Sequence, residues 1–136
     1  MDSKAVAAFL QANHRAILVT RRANGLLQSS PMAVLPGDEG YAVMSTRATT
    51  AKVKNASRDR RVSLCVIAEK WPGPWMHLDG TAEIVRLPDA MPLLADFYQR
   101  RTGEDTTTDT FRQRMEQEKR VLFRVKIDNV FLPNRG

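Results

Sequence analysis

The residues best placed to do chemistry lie in one stretch, STRATTAKVKNASRDRRVSL, from Ser45 to Leu64. Hydroxyls at Ser45, Thr46, Thr49 and Thr50 accompany six cations: Arg47, Lys52, Lys54, Arg58, Arg60 and Arg61. Only Asp59 offsets them. The pattern reads as a strand that ends in hydroxyls and runs into a helix. Free backbone N–H groups at such a helix start, together with the positive end of its dipole, favour an anion. Lys52 falls in the first turn or two, where its ammonium can fold back to the same point, and Ser45 and Thr46 can add hydroxyl hydrogen bonds. The same residues also suit a solvated helix face, and hydroxyls ahead of a helix often serve only as caps.

No other segment suggests a nucleophile paired with a base. His14 and His77 are far apart, and neither sits in a motif. His14 reads as the end of the first helix, where a cation suits the C-terminus. His77 alternates with Trp75 and Asp79 in WMHLDG and either lines a pocket or faces solvent. Two separated histidines lack the spacing of zinc ligands, so no metal site is expected. Asp79, Glu83 and Asp89 form no evident acid pair. An enzyme built from these residues would rely on a bound cofactor for its chemistry. Trp71 and Trp75 flank PGP; such a loop either stacks on a planar ring or packs rigidly on the core.

These residues need a scaffold, and the bounds on it are narrow. The 136 residues suit one domain, 1–136, and 43% hydrophobic with 26% charged residues is globular composition. The single cysteine excludes a disulfide framework, and Cys65 within VSLCVIA reads as a core thiol. No apolar run reaches the ~18 residues of a membrane span. The N-terminus meets an acid at once and has no long apolar centre, so the reading is a cytoplasmic protein. The net charge is +6, and the window from Ser45 to Arg61 holds +5 of it. A nucleic-acid binder spreads its cations along a stripe; this concentration fits a compact phosphate or carboxylate instead.

Periodicity and turn signals then place the elements. DSKAVAAFLQAN predicts a helix capped by Asp2 or Ser3, with Val6, Phe9 and Leu10 on one face. RAILVTRR and LLQSSPMAVLP form a hairpin around ANG, with Pro31 marking an edge strand or a bulge. YAVMST is a third strand after PGDEG. ATTAKVKNASRD is a helix with Val53 and Ala56 inward and Lys54 and Arg58 outward. RRVSLCVIA and WMHLDGTAEIVRL are strands four and five. A helix over 88–103 stops at Gly103, and a second begins at Thr108 or Asp109. RVLFRVKIDNVFL closes the chain with Val121, Phe123, Val125 and Ile127 on one side. The sum is a mainly β protein, a six-stranded antiparallel barrel with peripheral helices.

At this level of detail the chain resembles the pyridoxamine-phosphate-oxidase-like split β-barrel flavoproteins, and more closely the branch described as coenzyme F420 (deazaflavin)-dependent oxidoreductases of actinobacteria. The likeness covers nearly the whole chain. It rests on AILVTRRANGLLQSSPMAV, YAVMSTRATTAKVKNASRDRRVSL, WMHLDGTAEI with its strand glycine Gly80, and VLFRVKIDNVFL. The most specific part is Ser45-Thr46, then Lys52, Asn55 and the run Arg58-Asp59-Arg60-Arg61. The resemblance implies that Lys52 binds the cofactor phosphate, helped by Ser45, Thr46 and Asn55 and by backbone near Thr50 and Ala51. The strand at Met32 and Ala33 would lie along the ring edge. Trp75 and His77 would come from the facing subunit of a homodimer with two cofactors at its interface, and His77 is the candidate proton donor. Relatives that bind flavin mononucleotide (FMN) often carry Arg where this chain has Ala51, and deazaflavin relatives often carry Arg where it has Thr50. The implied activity is hydride transfer from reduced F420 to an electron-poor small-molecule acceptor, with an FMN-dependent reductase or oxidase, or a non-catalytic cofactor carrier, as the alternatives. Neither nucleic acid nor membrane is an implied partner.

Overall fold

The computed structural model describes residues 3–132. Its elements run α1 (Ser3–Ala12), β1 (Arg15–Arg21), β2 (Leu27–Ala33), β3 (Leu35–Pro36), β4 (Tyr41–Arg47), α2 (Ala51–Arg58), β5 (Arg61–Ile67), β6 (Trp75–Val85), α3 (Met91–Thr102), α4 (Asp109–Gln117) and β7 (Arg120–Phe131). The seven strands form one antiparallel sheet in the order β2-β1-β5-β6-β7-β4-β3. The two edge strands, β2 and β3, are consecutive in the chain and separated only by Val34. The sheet therefore curls until its edges meet at that residue, whose N–H bonds to the His14 carbonyl at 2.9 Å. A split barrel accounts for this topology.

The strand count corrects the expectation of six. The second predicted strand is two: it leaves β1 at Ala33, turns at Val34, and pairs with β4 through Leu35 and Pro36. Pro31 lies on β2, an edge strand, where its missing N–H breaks no ladder.

Period-two burial fills the barrel. Leu18, Met44, Leu64, Leu78, Phe123 and Val125 are each fully buried. Burying such side chains stabilises the fold by ~1.5–3 kcal/mol each. Helix α1 adds Val6 and Leu10 to this core, and α2 adds Val53 and Ala56, as their spacing predicts. The Asp2 cap lies outside the described residues. The same alternation corrects the reading of Cys65: Val62, Leu64 and Val66 point inward, which turns Ser63, Cys65 and Ile67 to the outer face, so the thiol is half-exposed.

A second apolar cluster sits behind β4 and β7. There α3 and α4 pack Leu94, Phe97, Phe111 and Met115 on Leu35, Val43 and Leu122. Helix α3 ends at Gly103 (φ 75°), whose N–H bonds to the Gln99 carbonyl. The Thr108 hydroxyl caps α4 by accepting from the Phe111 N–H at 3.1 Å. Gly80 marks a register shift between β6 and β7. A Cβ there would lie 2.4 Å from the Lys126 carbonyl oxygen, so no side chain fits.

Candidate functional site

Helix α2 starts three residues later than predicted. The Thr50 hydroxyl and N–H both bond the Arg47 carbonyl, closing a turn ahead of the helix. Thr50 is the N-cap residue by position, but its side chain gives the helix no capping bond. The backbone at Thr50 and Ala51 thus meets no side-chain acceptor from the cap.

Lys52, in the first turn, points inward. Its half-buried ammonium has one hydrogen-bond partner among the described residues, the Met32 thioether sulfur at 3.3 Å. A thioether is a weak acceptor. Burial, and then the nearby charge of Arg120, hold the Lys52 pKa below its usual 10.5. Arg120 and Arg47 face each other across the β4–β7 ladder and share Glu118, with Arg120 Nε at 2.8 Å and Arg47 Nη2 at 3.9 Å. The Arg120 hydrogen bond keeps the Glu118 carboxyl below the ordinary range. This end of the molecule therefore sets three cations against one carboxylate, and the cation with the poorest partner is Lys52.

The structure separates several residues that the sequence groups together. Ser45 and Thr46 are neighbours on a strand, so their side chains point to opposite faces. Thr46 is buried in the barrel row with Ala42 and Met44, while Ser45 faces α3 and accepts a hydrogen bond from the Tyr98 hydroxyl at 2.9 Å. Asn55 is buried, and its amide nitrogen donates to the Thr20 hydroxyl and Gln28 Oε1, both at 3.2 Å. Its carbonyl oxygen accepts from Arg58. Asn55 pins α2 to the hairpin and is not free to reach a ligand.

Met32 links the cationic end to a cleft of about 700 Å³. Ile17, Pro31, Met32, Ala33 and Ile67 give this cleft an apolar floor, and Arg101 and Thr102 at the end of α3 form a wall. A planar ring lying here would run along the backbone of Met32 and Ala33. A smaller cleft of about 320 Å³, between α1 and the turn at Gly37–Gly40, contains neither Met32 nor Lys52.

Trp75 and His77 stand on the outer face of β6, where Trp75 pairs across the ladder with Ile67 of the cleft floor. His77 Nε2 is 2.7 Å from Asp79 Oδ1, which also accepts from the Ser63 hydroxyl at 2.7 Å, and the imidazole meets Phe131 edge to face. The Ser63 bond, followed by that of His77, keeps the Asp79 carboxyl below its usual range. Around them Leu27, Trp71, Trp75 and Phe131 are exposed, and Ile17, Val19, Cys65 and Ile67 half-exposed. Both tryptophans face solvent, Trp71 at 80%. The tip of α3, at Arg101 and Thr102, approaches this side beside Ile17 and Ile67, and the apolar side chains named above remain exposed or half-exposed. His14 has the structural place expected of it, with Nε2 on the Gln11 carbonyl at 2.7 Å.

Reading the sequence did not pick out Arg120, Tyr98 or Arg101. Arg120 lies nearly seventy positions from Lys52, and only the β4–β7 pairing brings the two together. Among the described residues no group of three or more His, Cys, Asp or Glu is placed to hold a metal ion. No helix among them is long and apolar enough to cross a membrane.

Residues 3–133 match the model of the pyridoxamine 5'-phosphate oxidase family. The chain belongs to that family. Solved structures agree on the fold. A conserved hypothetical protein of Mycobacterium tuberculosis is 25% identical with a TM-score of 0.76, over 96% of this chain and 82% of the other. An F420 reductase is 20% identical with a TM-score of 0.69, over 91% and 94%. The HupZ protein of Group A Streptococcus is 13% identical with a TM-score of 0.71, over 100% and 97%. A comparison with curated proteins finds no match. Within the pyridoxamine 5'-phosphate oxidase family, this member combines a half-buried Lys52, a cleft at Met32 and Ala33, and an exposed apolar sheet face.

Proposed function

We propose that this protein is an oxidoreductase that holds coenzyme F420 and passes a hydride to an electron-poor small organic acceptor. The observation that carries the reading is Lys52: a partly desolvated ammonium beside a second cation, resting on the thioether of Met32, which lines an apolar cleft of ring-binding size. A phosphate would replace that weak partner with charge-assisted hydrogen bonds and offset the local charge excess. The residues present fit the group. Lys52 and Arg120 would hold its phosphate, with backbone at Thr50 and Ala51, and the strand at Met32 and Ala33 would bear on the ring edge. When bound, the reduced deazaflavin supplies the hydride from its ring.

The protein's contribution is to position, to desolvate and to deliver a proton. The apolar floor excludes water from the ring. The exposed face of β1, β5 and β6 supports a homodimer, in which Trp75 and His77 of a second copy would cover the cleft. His77, held by Asp79, would then be the proton donor to the product. A fold neighbour that is itself an F420 reductase supports the deazaflavin over FMN.

Titration of the purified protein with F420 and with FMN, followed by tryptophan fluorescence, tests the proposal. F420 binding in the micromolar range is expected, with FMN weaker. Tighter binding of FMN, with a yellow protein on purification, would replace F420 by FMN. No binding of either below about 100 μM would end the cofactor reading.

A further inference from the structure

The polar groups around the cleft at Met32 and Ala33 can be accounted for one by one. Arg15 Nε lies 3.4 Å from Glu69 Oε2, and the other oxygen of Glu69 accepts the His14 N–H at 3.0 Å. The His14 ring is held by Gln11. The Thr102 hydroxyl lies 2.8 Å from the Tyr98 carbonyl and 2.9 Å from Glu104 Oε2. Arg100, just before the wall residue, is tied to Asp96 Oδ2 at 3.0 Å and to the Pro36 carbonyl at 2.7 Å. Arg101 alone remains. Among the described residues its guanidinium has neither a hydrogen bond nor an ion pair, and it stands on the cleft wall above the floor formed by Ile17, Pro31 and Ile67.

We infer that the acceptor taken by this cleft is a planar organic acid, and that Arg101 is the residue that selects it. The inference rests on the proposed function, with the cofactor ring along Met32 and Ala33 and the acceptor beside it in the same cleft, over Ile17, Pro31 and Ile67. A flat apolar floor, formed by side chains standing on adjacent strands, suits a planar body. One uncompensated guanidinium at its rim suits one carboxylate, which it can bind through two parallel hydrogen bonds. The anchor for the cofactor phosphate is a different group, Lys52, reached through Met32. The two anionic ends therefore have separate hosts.

The probes are 4-nitrobenzoate and 4-nitrobenzamide, which share shape and ring electronics but differ in charge. Binding is read from amide and methyl chemical shifts of the full-length protein, without turnover. The expected result is an affinity about tenfold higher for the acid, the modest end for a charged hydrogen bond at an exposed site. Shifts should centre on Ile17 and Ile67. Arg101→Gln should erase the preference, and Arg101→Lys should keep part of it. Equal binding of the two probes to the unaltered protein would overturn the inference. So would a preference that survives Arg101→Gln, or shifts centred on Lys52. If neither cofactor binds any form, the proposed function fails, while the probe comparison still decides the role of Arg101.

Discussion

Replacing Lys52 by Met separates a ligand anchor from a structural lysine, because the two roles predict opposite effects on stability. Met keeps the length and packing of the stem beside Met32 and removes only the charge. A charge-assisted hydrogen bond to phosphate is worth ~1.5–3 kcal/mol. Arg120 remains beside the site, so the lower half of that range applies, and F420 affinity should fall about ten- to thirtyfold. Stability should not fall with it. In the ligand-free protein the ammonium is desolvated and faces Arg120, so its pKa lies below the ordinary 10.5. The unfolded chain then binds this proton more readily than the folded one. Stability should therefore rise with pH from the depressed pKa up to about 10.5, the unfolded value. Below that window the charged lysine is a net cost, which Lys52→Met removes. The variant should melt at the same temperature as its parent or slightly higher, and lose this alkaline rise. Bound cofactor should remove the rise from the parent as well. Calorimetric titration and thermal melts across pH 7 to 11 are the assays. Unchanged affinity together with a lower melting temperature would refute the reasoning.

Three further substitutions test other parts of the structure. Trp75→Asp should place a charge on the bare face of β6 and yield a monomer by sedimentation, with cofactor binding lost in step; a dimer that persists with full affinity would move the interface elsewhere. Asn55→Ala should destabilise the protein by ~1–3 kcal/mol in urea, because it leaves the buried Thr20 hydroxyl without its donor. Its cofactor affinity should be unchanged, whereas a cofactor ligand at this position would show the reverse. Gly80→Ala should cost at least ~1–3 kcal/mol by denaturant melt, since the added carbon meets the β7 backbone at 2.4 Å; a neutral result would mean that the bulge relaxes freely.

Most of the scaffold could be read from local pattern, and the parts that could not share a cause. The alternation Val121, Phe123, Val125, Ile127 survives intact in β7, and Thr108 and Gly103 stand where their capping chemistry puts them. The place of Lys52 in the first turn of a helix was legible because hydroxyls, helix start and cations occur together within a few residues. Cys65 was misplaced because an apolar run hides its own period: residue type pointed inward while strand geometry turned the thiol outward. The break at Val34 carries no turn residue; it follows from the need of the sheet edges to meet, a global constraint. Arg120, Tyr98 and Arg101 were overlooked for the same reason. Each comes from a segment that looks ordinary locally, and only the pairing of β4 with β7 or the docking of α3 brings it to Lys52, Ser45 or the cleft. The split between Ser45 and Thr46 shows the converse, since a motif that is compact in sequence is divided by the pleat of its strand.

The α3–α4 hairpin rests on its own apolar cluster behind β4 and β7, apart from the barrel interior. It touches the cleft only through the tip of α3, at Arg101 and Thr102. On the proposed function, descendants of this chain can exchange the hairpin tip and inherit a new diet while the residues around Lys52 stay untouched. Divergence in what such proteins consume should be written in these few positions, and sameness in what they carry should be written in the strands.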